Sequence, residues 1–188
     1  MRRGAGCTHR IQSHSFALCA TRRRCAHLHE ASDSVHPLLS GHRTLGLDSN
    51  VLIYRLEDAG ALVQAAANLV DGAAGGQLEA VFSAVGPVEV LTGPARAGDG
   101  SLFEMAADTL RDLRIRVVPL DGPGAEDAAC LRSSTALGLE DAVHLACARS
   151  AGATAFVTND RRIRSTERLA VIGLADLAPA DPESAGAV

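Results

Sequence analysis

The chain contains no lysine: all 18 of its basic residues are arginine. That absence removes whole reaction classes, because a P-loop needs a lysine under its phosphates and Schiff-base or receiver-type chemistry needs one too. Tryptophan is also missing, and one tyrosine and four phenylalanines are the whole aromatic complement. The core must therefore be Ala, Val and Leu packing, which favours helices against a small sheet. The one tyrosine, Tyr54, leaves little scope for stacking nucleobases. No apolar run approaches the ~20 residues of a membrane span. Positive charge is not in excess either, since the net charge is −4. Phosphate contacts come from Lys and Arg, so a body of this sign is not a general nucleic-acid binder.

What is present divides near residue 43. Residues 1–43 hold seven arginines against Glu30 and Asp33, whereas the rest sets eleven arginines against twenty acids. The same segment holds Cys7, Cys19 and Cys25 and six of the seven histidines. Neither a helical nor a strand period survives in it. Its Cys and His spacing lacks the paired C-x2-C or H-x3-H grip of a zinc site, and FALCA is too short for the apolar part of a secretory signal. The expectation is a disordered or mis-started extension over 1–43, such that deleting residues 1–40 leaves folding and activity intact. One domain over 44–178 follows, then a disordered tail over 179–188. Cys130 and Cys147 lie in helix-like runs and read as small buried hydrophobes. Nothing calls for disulfides, so a reducing, cytoplasmic setting is expected.

From Thr44 the pattern becomes orderly. LGLD reads as a short buried strand, with helices over 49–57 and 61–71 and a strand over 78–85. Pro87 suits the first turn of a helix running toward Thr92. Gly93 to Gly100 reads as a loop, after which Ser101 caps a helix with Leu102, Met105, Ala106, Leu110 and Leu113 on one face. A strand over 115–120, helices over 123–136 and 139–150, and a strand over 154–159 come next. A short arginine-rich helix and the strand LAVIG close the domain. Such alternation predicts an α/β sandwich with a mainly parallel sheet.

Four carboxylates stand out in that pattern. Asp48 and Asp160 fall at the carboxyl ends of two predicted strands, the edge where open α/β sheets bind ligands. Each precedes a helix, so an N-cap is the competing reading for either alone. Glu89 is the only charged residue between Ala80 and Leu91, and helix-dipole attraction of ~0.3–1 kcal/mol is small beside the cost of an unpaired carboxylate among valines. A metal or an arginine must compensate it. Asp141 opens the apolar helix DAVHLACA, sharing its turn with Glu140. His144, one turn on, reads as a packed core residue rather than a catalytic base, because no partner for its ring is visible in the sequence. Acids so placed repel one another when buried, and a divalent cation is the simplest reason to keep them. Metal-assisted phosphodiester hydrolysis is the chemistry this pattern favours.

At LGLDSNVLIYRLE, VFSAVGPVEVLTGPARAGD and LGLEDAVHLACARSAGATAFVTNDRRI the chain resembles the PIN domain, in particular VapC-type toxins of bacterial toxin–antitoxin pairs. The three stretches cover residues 44–173. Asp48, Glu89, Asp141 and Asp160 match that family's acidic quartet, and Ser49, Asn50, Thr158 and Asn159 match supporting polar positions. Gly86 departs from the pattern, where the family usually has a bulkier residue, and this bears on how Glu89 is aimed. The resemblance implies a PIN-like three-layer sandwich, Mg²⁺ or Mn²⁺ as cofactor, RNA as substrate, a homodimer, and inhibition by a small cognate antitoxin. On this reading Asp48, Asp141 and Asp160 hold one metal and Glu89 holds or bridges to a second.

Two other classes compete. An aspartate-nucleophile phosphatase usually needs an Asp-x-Asp pair after its first strand, but Asn50 stands in the third place. A PIN-like fold without catalysis, binding RNA or an antitoxin through its acids, is the second. Arg161, Arg162, Arg164 and Arg168 either line an RNA backbone or form a solvated face; both readings stay open from the sequence.

Overall fold

A computed structural model describes residues 36–56 and 61–178. Most of the amino-terminal extension, with Cys7, Cys19 and Cys25, and the tail over 179–188 lie outside the described residues. Five strands form the sheet: β1 (Thr44–Leu47), β2 (Glu79–Ser83), β3 (Ile115–Val118), β4 (Ala155–Thr158) and β5 (Ala170–Gly173). Their order is β3-β2-β1-β4-β5, and every pairing is parallel. Parallel neighbours need crossovers. Among the described residues six α-helices accompany the strands: α1 (Ser49–Leu56), α2 (Ala61–Ala74), α3 (Val85–Ala97), α4 (Gly100–Asp112), α5 (Gly122–Ser134) and α6 (Leu139–Ser150). The strand order reverses between β1 and β4, which opens a crevice at their carboxyl ends.

Side-chain alternation separates the two faces. Leu45 and Leu47 of β1, Ala80 and Phe82 of β2, and Ala155 and Val157 of β4 pack in one core with Val51, Leu52, Leu69 and Val70 of α1 and α2. Val81 and Phe156 point the other way, into a second core with Ala128 and Leu131 of α5 and Leu145 and Ala148 of α6. A strand flips side chains every residue, so the sheet packs against helices on both faces and three layers result. Gly46 is what lets α6 lie so close to the central strand. A Cβ there would stand 2.5 Å from the Ala148 Cβ and 2.7 Å from Phe156 Cδ2. Among the described residues, no helix is long and apolar enough to cross a membrane.

Several local expectations give way to tertiary context. The loop expected over 93–100 is mostly helix: α3 runs from Val85 to Ala97 with Pro94 inside it. Val90 and Pro94 are buried on that helix, and this packing outweighs the local breaking tendency of Gly93-Pro94. Asp99, not Ser101, caps α4, accepting from the Ser101 and Leu102 N–H groups. On α4 the buried residues are Ala106 and Ala107, while Met105 is exposed. Cys130 is exposed as well, because α5 buries the stripe of Gly124, Ala128 and Leu131 and turns Cys130 outward. No helix follows Asp160. Residues 161–168 run as turns and irregular chain, pinned by buried Ile163 and Leu169 and by the Arg149–Thr166 hydrogen bond of 2.8 Å.

The extension expected over residues 1–43 also ends in packed chain. Pro37–Leu39 form a 3-10 turn, and Leu39 is buried as part of the core that includes residues of α1 and α2. Burying a leucine contributes about 1.5–3 kcal/mol. A chain starting at Gly41 is therefore expected to melt several degrees below one starting at His36. Thermal unfolding of the two truncations decides this, and equal midpoints would show that Leu39 contributes nothing.

Candidate active site

The switch point between β1 and β4 carries two of the four acids. β1 ends at Leu47 and α1 begins at Ser49, which leaves Asp48 at the junction. Its N–H donates to the Val157 carbonyl of β4 at 3.0 Å, so Asp48 continues the parallel ladder. Asp160 lies two residues beyond the end of β4.

Asp48 is only 6% exposed, yet among the described residues every hydrogen-bond donor to its carboxylate is neutral. Oδ2 accepts from the Asn50 amide at 2.7 Å and from the Thr158 hydroxyl, and Oδ1 accepts from the Ser49 hydroxyl at 3.3 Å. Burial raises the Asp48 pKa above its ordinary value, against the Thr158 hydrogen bond, the charge of His144 and the Ser49 N–H; the charge of Asp141 raises it further. Among the described residues no ion pair involves Asp48 or Asp141.

The supporting polar positions knit the two strand ends together. Thr158 Oγ1 also accepts from the Asp160 N–H at 2.9 Å and from the Asn50 amide at 3.2 Å. Asn50 Oδ1 accepts from the Asn159 N–H at 3.2 Å, and the Asn159 amide donates to the Tyr54 hydroxyl at 3.1 Å. Tyr54, read from the sequence only as a scarce aromatic, thus helps to hold the Asn159 amide.

The other acids reach the rim from different elements. Asp160 is gripped by Arg162, whose Nε donates to both carboxylate oxygens at 3.0 and 2.9 Å. That hydrogen-bonded guanidinium holds the Asp160 carboxyl below the usual range. Arg162 is itself largely exposed, so the pair is a weak tether. Asp141 lies in the first turn of α6. It is half-buried where Glu140 is exposed. Its charge is felt at both Asp48 and Arg162.

Glu89 on α3 meets a histidine, with no arginine ion pair among the described residues. His144 Nε2 stands 2.8 Å from its Oε2. Burial pushes Glu89 upward, but the hydrogen bond and charge of His144, with the Ser49 hydroxyl, outweigh it and leave the carboxyl below its ordinary value. His144 is buried, as a core residue would be, but the sequence hid both partners of its ring: Ser83 Oγ lies 2.9 Å from Nδ1. The only signal available was that His144 follows Asp141 by three residues and so shares its helix face. The departure at Gly86 has a structural reason. A Cβ there would fall 1.9 Å from Cζ of Phe82, so the glycine makes room for that ring under α3.

Every candidate ligand of the quartet offers carboxylate oxygen, the donor that hard divalent cations prefer. The buried Asp48 carboxylate with only neutral hydrogen-bond donors is the feature such a cation would relieve. The quartet is nonetheless not drawn into a tight cage: among the described residues no three His, Cys, Asp or Glu side chains stand close enough to hold one ion. Arg162 and His144 each engage one carboxylate instead. A cleft of about 360 Å³ opens beside Asp160, with Thr158, Asn159, Arg161, Arg164 and Ser165 in its wall.

Comparison with known proteins agrees with this architecture. The sequence matches the PIN domain over residues 46–169. No curated protein matches the sequence. Among solved structures, VapBC2 from Rickettsia felis bound to a DNA fragment from its promoter is 15% identical with a TM-score of 0.58, covering 69% of this chain and 98% of that one. A toxin–antitoxin complex from Klebsiella pneumoniae is 19% identical with a TM-score of 0.51, covering 67% and 94%. FitAcB from Neisseria gonorrhoeae is 21% identical with a TM-score of 0.51, covering 63% and 88%. At these identities the likeness is one of fold.

Proposed function

Because the chain belongs to the PIN domain family, whose members are generally nucleases, we propose that it is a metal-dependent endoribonuclease and the toxin of a type II toxin–antitoxin pair. The observation that carries this reading is Asp48: a buried carboxylate at the switch point, held by neutral hydrogen-bond donors and without an ion-pair partner among the described residues.

Asp48, Asp141 and Asp160 would hold a Mg²⁺ or Mn²⁺ ion, with Glu89 holding or bridging to a second. A divalent cation, when bound, supplies positive charge that favours ionisation of an attacking water and offsets the charge building on the phosphate. The protein's own residues do the rest. Asn50, Thr158 and Ser49 keep the Asp48 carboxylate from rotating. Thr158 ties the Asp160 backbone to the same oxygen network. To join such a site Asp160 would have to give up its pairing with Arg162, a small loss for so exposed a pair. Water adds to phosphorus, the bridging P–O bond breaks, and the leaving oxygen takes up a proton. Arg161 and Arg164, both exposed beside the cleft, offer the flanking RNA backbone two guanidinium contacts.

The solved structures of similar fold are toxin–antitoxin proteins, which supports a small antitoxin as partner and cytoplasmic action; a homodimer goes with the family resemblance. The test is incubation of the full chain with total RNA and mapping of the ends produced. Cleavage that needs added Mg²⁺ or Mn²⁺ and stops with chelator is the expected result. RNA left intact by a protein that binds neither ion would favour the second reading, a catalytically silent module for RNA or an antitoxin. That alternative draws on the Arg162–Asp160 pair, which already satisfies one acid without metal.

A further inference from the structure

His144 is 2% exposed, yet both of its ring nitrogens are partnered by groups on other elements. Nε2 meets Glu89 of α3 at 2.8 Å, and Nδ1 meets Ser83 at the end of β2 at 2.9 Å. The ring also stacks on Phe82, with centroids 6.1 Å apart and planes 23° from parallel. An ionised carboxylate only accepts, so the hydrogen of this contact sits on Nε2, and the Ser83 hydroxyl, which can donate or accept, closes the other side of the ring at Nδ1. The two contacts leave the ring one orientation. Burial alone calls for partners on both nitrogens; what gives this ring a further role is that one partner, Glu89, is a candidate ligand carboxylate on a different helix.

Glu89 has the opposite problem. Its side chain is 31% exposed and has three torsions of its own, so it would otherwise sample solvent. His144 stands on α6 one turn beyond Asp141, and that helix is buried against β1 and β2. We propose that His144, braced by Ser83 and Phe82, is a positioning residue that fixes Glu89 of α3 relative to Asp141 on its own helix. The pairing ties the only acid carried by α3 to the helix that carries Asp141. The inference rests on the reading of the four acids as a cation site. Gly86 belongs to the same device, because it admits the Phe82 ring against which His144 lies.

Mn²⁺ titration of the full chain, by calorimetry or by the spin signal of the free ion, tests this without relying on catalysis. His144→Leu is expected to weaken Mn²⁺ binding by roughly 10–100-fold, the usual effect of losing a partner that orients a ligand. His144→Gln, which keeps a donor near the Nε2 position, should recover most of it. Glu89→Gln combined with His144→Leu should bind no more weakly than Glu89→Gln alone, because one residue acts through the other. A purely structural role would lower the melting temperature of His144→Leu without this pattern. If His144→Leu does not fold, His144→Gln and Ser83→Ala carry the comparison. Wild-type Mn²⁺ affinity in His144→Leu, or an additive double variant, overturns the inference while Asp48→Asn still loses the ion. If Asp48→Asn and Glu89→Gln both bind Mn²⁺ as wild type does, the cation site itself is wrong and the inference falls with it.

Discussion

Asp48→Asn is expected to abolish metal-dependent RNA cleavage while leaving the protein at least as stable as wild type at neutral pH. The loss should exceed the ~10–100-fold that accompanies removal of a supporting partner, since the substitution removes a charged ligand itself. The stability result follows from burial. The folded-state pKa of Asp48 lies above the 3.8 of an ordinary aspartate, so the folded state disfavours its charge. Below pH ~3.8 both states hold the proton, and aspartate and asparagine should behave alike. As pH rises through the raised folded value, the aspartate loses stability that the asparagine keeps. The melting temperatures of the two proteins should therefore separate on going from acid to neutral pH, with the variant higher. Glu89 carries the opposite sign, because its folded pKa lies below the ordinary 4.5. Glu89→Gln should be the less stable protein at neutral pH, and the difference should close as pH falls through the folded value. Cleavage rates with unfolding curves across pH check both. An Asp48→Asn protein that melts lower than wild type at neutral pH would show that the carboxylate is structural rather than tolerated for function.

Gly46→Ala is expected to be among the most damaging single-methyl changes in the molecule. The added Cβ would meet the Ala148 Cβ and the Phe156 ring well inside contact distance. Phe156 is fully buried and Ala148 belongs to a packed helix, so neither has space to yield. Overpacking of this kind costs about 1–3 kcal/mol, occasionally more. For a domain of this size each kcal/mol moves the midpoint by roughly 2–4 °C. The control is Gly72→Ala in α2, where the nearest neighbour of a new Cβ is the flexible Gln77 Oε1 at 3.4 Å. There the methyl should stabilise by about 0.5–1 kcal/mol, because glycine is a poor helix former. Denaturant unfolding of the pair measures the contrast. Equal and small effects would mean that α6 does not press on the central strand as the structure has it.

Much of the site was legible because its placement depends on local pattern. LGLD and TAFVTND are apolar runs closed by an acid, and a strand that ends in an acid puts it at the sheet rim wherever the strand lies. The bounds of α6 were equally clear, since GLEDAVHLACARSAG carries acids at its start, an arginine in its last turn and glycine beyond. Glycine and proline misled where they lay inside a packed helix. Gly93-Pro94 is a breaker locally, but the buried Val90 and Pro94 carry α3 through it. The stretch after Asp160 failed for the converse reason. Its arginines suit a helix, yet the Thr166–Leu169 bridge and the bond from Arg149 hold it as turns.

By itself the amino-acid sequence determined the α/β class, the four acids and the exclusion of lysine chemistry, because periodicity and residue identity are properties of short segments. Only the tertiary structure decided which groups face which acid. Ser83, Glu89 and His144 come from three segments, with 61 and 55 residues separating the histidine from its two partners, and no local pattern registers a hydrogen bond across such distances. The same holds for Gly46 and Gly86. Each looks like a mere gap in an apolar run until the neighbouring element is seen to fill the space that a side chain would need.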